Sequence, residues 1–452
     1  MLYRTILKDL DLWAAKPNRK PLVLRGARQV GKTYAVKEFA KKFDTFLYIN
    51  FEKPTNRAVF DNFISLDDTL LKLFALHSIE EKQGRTLIFF DEIQYCGEAI
   101  RQLRYFYEER PELYVIAAGS LLETLLNVKI SFPVGRVEYL AMRPMNFAEY
   151  LDAIGKEMIR RLIEENPENS QNLHNSLMAD FQTYAVIGGM PEVVAQFANT
   201  HNIESLRTAF ESLITSYKDD VEKYATNKTQ VSILRFLIDN CWLAAAERIS
   251  LGNFAGSEYK TREMKEAFTT LQKAMLVELV YPNDNTELPL LPQMTHRPKL
   301  LTIDIGLTNF VANVQTDIFS NKDLLQAWRG KIAEQIVGQE LLALNNHIDV
   351  KRYFWSRTKS EAEVDFEHIF HGIVVPIEVK AGHNSHLRSL HEFMDNSKCQ
   401  IAIRVWSEPF QKDIVTTRNG KEFLLLSIPF YLVSFINQIL ANYISNQLAT
   451  TK

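Results

Sequence analysis

The stretch PLVLRGARQVGKTYAVKEFA, residues 21–40, sets the reading of the whole chain. Inside it Gly26, Ala27, Arg28, Gln29, Val30, Gly31, Lys32 and Thr33 fill the pattern G-x-x-x-x-G-K-[ST] without a mismatch. The apolar run 21–25 reads as a strand and 33–43 as a helix, so the motif lies at the strand-to-helix turn where the pattern carries chemistry. Small residues there let backbone N–H groups wrap a phosphate. Lys32 reaches the terminal phosphates, Thr33 offers a hydroxyl to Mg²⁺, and the helix that follows turns its positive dipole end to the same anion. The expected ligands are therefore ATP and Mg²⁺.

Strand-like segments at 45–51, 86–91 and 113–119 alternate with helical patterns, including 98–109, which predicts an α/β unit with a parallel sheet covered by helices. Leu87 to Phe90 form a buried-strand run that ends in Asp91 and Glu92. Read alone, two acids after an apolar strand are an ordinary solvated strand end. Downstream of a phosphate loop, Asp91 is expected to hold the Mg²⁺ shell and Glu92 to act as the base that polarises the attacking water. Ser120, after the fourth strand, suits a γ-phosphate or water contact, and equally a helix cap. In FPVGRVEYL, Arg136 is either an arginine finger or a surface residue.

The totals bound what else the chain can be. At 452 residues it is too long for one core, and about three domains are expected. A net charge of −3 excludes a global basic field, so any nucleic-acid binding must come from a local patch. Cys96, Cys241 and Cys399 lie far apart without metal-ligand spacing, which suits a reducing cytoplasm. The N-terminal apolar residues are broken by Arg4, Lys8, Asp9 and Asp11, a poor secretory signal. The tail carries no charge from Phe423 to Thr451, but Pro429, Asn437 and Gln438 interrupt it. A buried strand followed by a helix, with no membrane span, is the reading adopted.

From about Met145 to Asn240 the pattern is mostly helical. Two amphipathic helices, a strand, a polar loop at 282–298 and a strand at 299–304 then give a winged-helix outline. Farther on, VDFEHIFHGIVVPIEVKAG (364–382) reads as a hairpin turning at His371-Gly372. A two-residue loop sets Asp365 opposite Glu378 and Glu363 opposite Lys380, all on one face. Two facing carboxylates are destabilising without a counter-charge. Polar residues on one face are also the normal condition of a half-exposed sheet, with Glu363 and Lys380 as a plain ion pair.

With these residues in place, the chain resembles a family of predicted bacterial and archaeal AAA+-type P-loop ATPases fused to a C-terminal domain of uncharacterised function. The resemblance spans nearly the whole length. It rests on LVLRGARQVGKT, LIFFDEIQ, FPVGR followed by RPMNFAEYL, GGMPEVV, PKLLTIDIGL, GKIAEQIVGQEL, YFWSR and IEVKAG. It implies a P-loop ATPase domain (1–145), a helical region (146–225), a winged-helix-like region (226–320) and a restriction-endonuclease-like domain (321–452). Relatives usually carry Thr where this chain has Ala118, which leaves the sensor role to Ser120 alone. The endonuclease-like fold implies that Asp365 and Glu378 hold a divalent metal, that Lys380 positions or activates water, and that Glu334 on the preceding helix supplies a third acid. The resulting expectation is a cytoplasmic, Mg²⁺-dependent ATPase coupled to a module that cleaves or binds DNA or RNA. The alternative is a nucleotide-dependent switch that binds a protein or DNA partner, its nuclease-like domain inactive. A homo-oligomer is compatible with both.

Overall fold

A computed structural model describes residues 3–80, 82–119, 133–225, 227–315, 330–357, 362–380 and 387–450. The expected parallel sheet is present, built from β1 (Leu22–Arg25), β2 (Thr45–Asn50), β3 (Thr86–Asp91), β4 (Tyr114–Ala118) and β5 (Glu138–Ala141). Its order is β2-β3-β4-β1-β5, every neighbouring pair parallel. Alternation along the strands decides the layers. Leu22, Leu24, Phe89, Ile116 and Ala118 face one buried cluster, while Val23, Ile88, Phe90, Val115 and Ala117 face the other. Helices therefore cover both faces, as a parallel sheet requires.

Helices from Phe147–Ala153 to Lys228–Asn240 follow, then the Thr261–Lys273 helix and an antiparallel ribbon of β6 (Val277–Val280) and β8 (Lys299–Thr302). Between the ribbon strands, β7 (Pro282–Asn283) leaves the expected loop and pairs parallel with β9 (Tyr353–Ser356). It thereby becomes the edge of a seven-stranded sheet. The other members are β10 (Glu363–Phe370), β11 (Ile373–Val379), β12 (Ile401–Trp406), β13 (Gln411–Thr416) and β14 (Glu422–Pro429), in the order β13-β14-β12-β11-β10-β9-β7.

The hairpin of β10 and β11 turns at His371 (φ 48°) and Gly372 (φ 81°), two successive left-handed residues of the kind a two-residue loop needs. Its register runs from Phe366 opposite Ile377 to Phe370 opposite Ile373, the pairing read from the sequence. Against β9 the register slips between Val364 and Glu367, an irregularity that spans Asp365 and Phe366. Strand β14 leads into a short 3₁₀ segment and the Ile436–Thr450 helix, and no helix among the described residues is long and apolar enough to cross a membrane.

One buried apolar cluster runs from Ile6 through the helical region to Ile444, with two smaller clusters beside it. The physical reason is that the middle helices are apolar toward both sheets at once. Phe181, for example, packs against Phe147 on one side and Phe430 on the other.

Candidate functional site

The phosphate loop leaves β1 and closes onto the Lys32–Ala40 helix. Lys32 is buried, and its Nζ donates to the carbonyls of Gly26 and Ala27, both at 2.9 Å. Burial lowers its pKa to about 8, although the Glu92 and Asp91 carboxylates oppose that shift. Gln29 holds a left-handed φ of 65° within the loop. The Thr33 hydroxyl donates to Asp91 Oδ2 at 2.9 Å, so loop and acid strand meet as their motifs require. Hydroxyl and carboxylate side by side are the donor set that suits Mg²⁺, and Thr33 and Asp91 are the residues that would hold it.

Glu92 adopts φ 53°, a strained conformation for a residue with a side chain, and Gln94 Nε2 donates to its Oε2. Burial raises the Glu92 pKa, which makes its carboxylate a better proton acceptor. Ser120 lies outside the described residues. Arg136 is exposed and paired with Glu108 at 2.8 Å. It precedes β5 at the sheet edge where Leu22 pairs with Glu138, opposite the edge from which the phosphate loop leaves after Arg25. It is therefore not a finger toward its own phosphate loop, because the parallel strand separates the two.

Three contacts on this site escape a reading of motifs. Tyr48 on β2 donates to Asp91 Oδ2 at 3.0 Å. Arg4, almost fully buried, donates to Val30 O at 2.8 Å and to Glu149, fastening the loop from outside. Asp220, on the Arg207–Tyr224 helix, pairs with Arg28 of the loop at 2.5 Å, and Tyr217 donates to Arg28 O at 3.2 Å. Each partner is remote in sequence, so no local spacing signals it.

The second group of acids is also assembled. Asp365 and Glu378 are buried, and Asp365 Oδ2 accepts the Val379 N–H at 2.7 Å. Burial lifts the pKa of both acids, and for Glu378 the charge of Asp365 adds to it. Glu334 joins them from the Lys331–Ala343 helix, its pKa also raised by burial and by Asp365. The ion pairs differ from the expected ones. Glu363 does not pair with Lys380, which Glu378 holds: its carboxylate meets Lys299 Nζ at 2.9 Å and Arg248 Nη2 at 2.5 Å. Lys380 instead pairs with Glu378 Oε1 at 2.6 Å, and Lys299 also holds Glu334 Oε2 at 2.7 Å. Lys299 lies on β8, remote in sequence from both acids it pairs with.

A divalent ion does not fit this arrangement as it stands. The carboxylates of Glu334, Glu363 and Glu378 each carry a bonded cation and Asp365 Oδ2 accepts a backbone amide, which leaves Glu378 Oε2 as the buried oxygen of the group without a hydrogen bond. Among the described residues, no group of three or more His, Cys, Asp or Glu is arranged to hold a metal ion.

Residues 18–151 match the family described as an AAA domain. Residues 178–318 and 329–427 match two domains of unknown function (DUF8612 and DUF4143). No curated protein matches the chain. Among solved structures it is similar to a Walker-type ATPase of Pyrococcus abyssi, at 15% identity and TM-score 0.43, over 69% of this chain and 96% of that one. It is also similar to the RuvB Holliday junction branch migration motor of Thermotoga maritima, at 15% identity and TM-score 0.28, over 62% and 90%. The Aeropyrum pernix ORC1 protein, solved in complex with DNA, gives 13% identity and TM-score 0.28 over 68% and 91%. The strand order and the matched family together make the N-terminal unit an AAA-type P-loop ATPase fold.

Proposed function

We propose that the N-terminal unit binds ATP and hydrolyses it with Mg²⁺. The observation that carries this is the meeting of the Thr33 hydroxyl with Asp91, beside a buried Lys32 and a strained, basic Glu92. Mg²⁺ would neutralise phosphate charge between Thr33 and Asp91. Lys32, whose ammonium now rests on two loop carbonyls, is positioned to exchange them for phosphate oxygens. Glu92 is the base for the attacking water, its orientation held by Gln94. Lys32→Ala should remove ATP turnover, and an unchanged rate in a phosphate-release assay rejects this site.

For the C-terminal unit, we infer an endonuclease-like module that acts on nucleic acid, with the β6–β8 ribbon and its two preceding helices as a winged-helix-like partner. Ribbon and acids lie in contact through Lys299. Between cutting and binding, the lysine-neutralised acids favour binding: ATP turnover would then change how the module grips DNA or RNA, or a protein partner. Purified chain incubated with DNA and RNA in Mg²⁺ or Mn²⁺ tests cleavage directly. Cleavage that is lost in Asp365→Asn restores the cutting reading.

A further inference from the structure

The acid cluster of the C-terminal sheet contains a cation that the sheet does not supply. Lys299 belongs to β8, is 2% exposed, and places its Nζ between Glu334 Oε2 and Glu363 Oε1. The rings of Phe354 and Phe366 lie 4.8 Å and 5.9 Å from the same Nζ, closing the remaining approaches with apolar surface. The Nζ lies 2.7 Å from the Glu334 oxygen and 2.9 Å from the Glu363 oxygen, the geometry of an ammonium held between two acids. With Lys380 on Glu378 and Arg248 on Glu363, three cations face the four acids of the cluster.

We propose that Lys299 is the resident cation of this cluster: an ammonium tethered to the β6–β8 ribbon occupies the acids in place of a divalent ion, and metal enters only when the ribbon separates from the C-terminal sheet. Like charges a few ångströms apart in a dry site repel strongly, so ammonium and metal exclude each other. Nor can Lys299 step aside alone, because a buried ammonium without its acids has no other partner. Metal loading of the C-terminal unit and docking of the middle region are then alternatives, and any motion that the ATPase transmits to the ribbon is read out at the acids.

This regulation rests on the endonuclease-like reading of the C-terminal unit for the identity of the acids, so metal uptake and strand cleavage are measured separately. Full-length, nucleotide-free protein is titrated with Mn²⁺ and the free ion followed by electron paramagnetic resonance. Wild type should show no Asp365-dependent uptake up to ~1 mM, the weak end of carboxylate sites. Lys299→Met should gain one Mn²⁺ per chain at least ~10-fold more tightly than wild type, and Lys299→Met/Asp365→Asn should lose it again. Uptake by wild type that Asp365→Asn abolishes overturns the proposal whether or not the Lys299 variant folds. So does a folded Lys299→Met, by its melting curve, that takes up no more Mn²⁺ than wild type. Uptake without cleavage in Lys299→Met leaves the proposal standing and removes the cutting reading.

Discussion

Lys32 shows how a single residue can report on its own site. Its pKa of about 8 in the ligand-free loop comes first from burial, and an arriving phosphate would raise it again. Below about pH 8 the side chain is charged before and after binding, so affinity for ATP should be flat. Above it each binding event must take up a proton, and affinity should fall by up to about tenfold per pH unit. Isothermal titration at several pH values checks this, and the Lys32→Met variant should lack the slope. At this scale the phosphate loop is legible because its whole chemistry lies within eight consecutive positions. Tyr48, Asp220 and Lys299 are not, since each reaches its partner only through the tertiary fold.

At the scale of elements, several stretches that look like site motifs are interlocks. Asp304 of PKLLTIDIGL accepts the Gly189 N–H of GGMPEVV at 2.7 Å and caps the Ile305–Val311 helix through Leu307 N–H at 3.1 Å. Gln339 of GKIAEQIVGQEL takes the Ile305 N–H at 2.7 Å, and Gln335 exchanges hydrogen bonds with Thr302. A Cβ added at Gly189 would stand 1.9 Å from the Met145 carbonyl, in backbone that cannot yield cheaply. Gly189→Ala should therefore cost more than about 3 kcal/mol and lower the thermal midpoint by many degrees. A melting curve that matches wild type would show that the two segments do not pack so closely. The elements themselves are legible from period alone: the first four strands and the hairpin register stand where the apolar alternation puts them. Strand β7 is not, since two residues in a polar loop carry no period to read.

At the scale of the molecule, Glu340 joins three segments. It accepts from the Phe147 N–H at 3.1 Å, from Tyr184 Oη at 2.5 Å and from the Ser434 hydroxyl, tying the helical region to the C-terminal tail. Burial lifts its pKa to about 7 from the usual carboxylate range. The folded chain therefore holds a proton that the unfolded chain releases near pH 4.5, and the stability this group lends is present at low pH and lost as pH rises through about 7. Denaturation midpoints measured from about pH 5 to about pH 8 should fall in wild type and flatten in Glu340→Gln. Parallel slopes would assign the proton elsewhere. Such a junction, like the shared apolar cluster, is invisible to a reading that divides the chain by composition, because the residues that join the units are ordinary helix positions.

The short strand β7 closes one border of the seven-stranded sheet, and Pro282 within it offers no N–H to a further strand. The opposite border, β13, is exposed and carries Lys412 and Asp413. Both margins are thus defended against pairing with another molecule, one by a missing donor and one by charge. The first defence comes from upstream of the domain it protects. A fragment starting at residue 321, or a chain nicked and unravelled upstream of β9, would present Tyr353–Ser356 as a bare hydrophobic template. The edge of the C-terminal sheet is therefore completed by a strand from upstream of that domain.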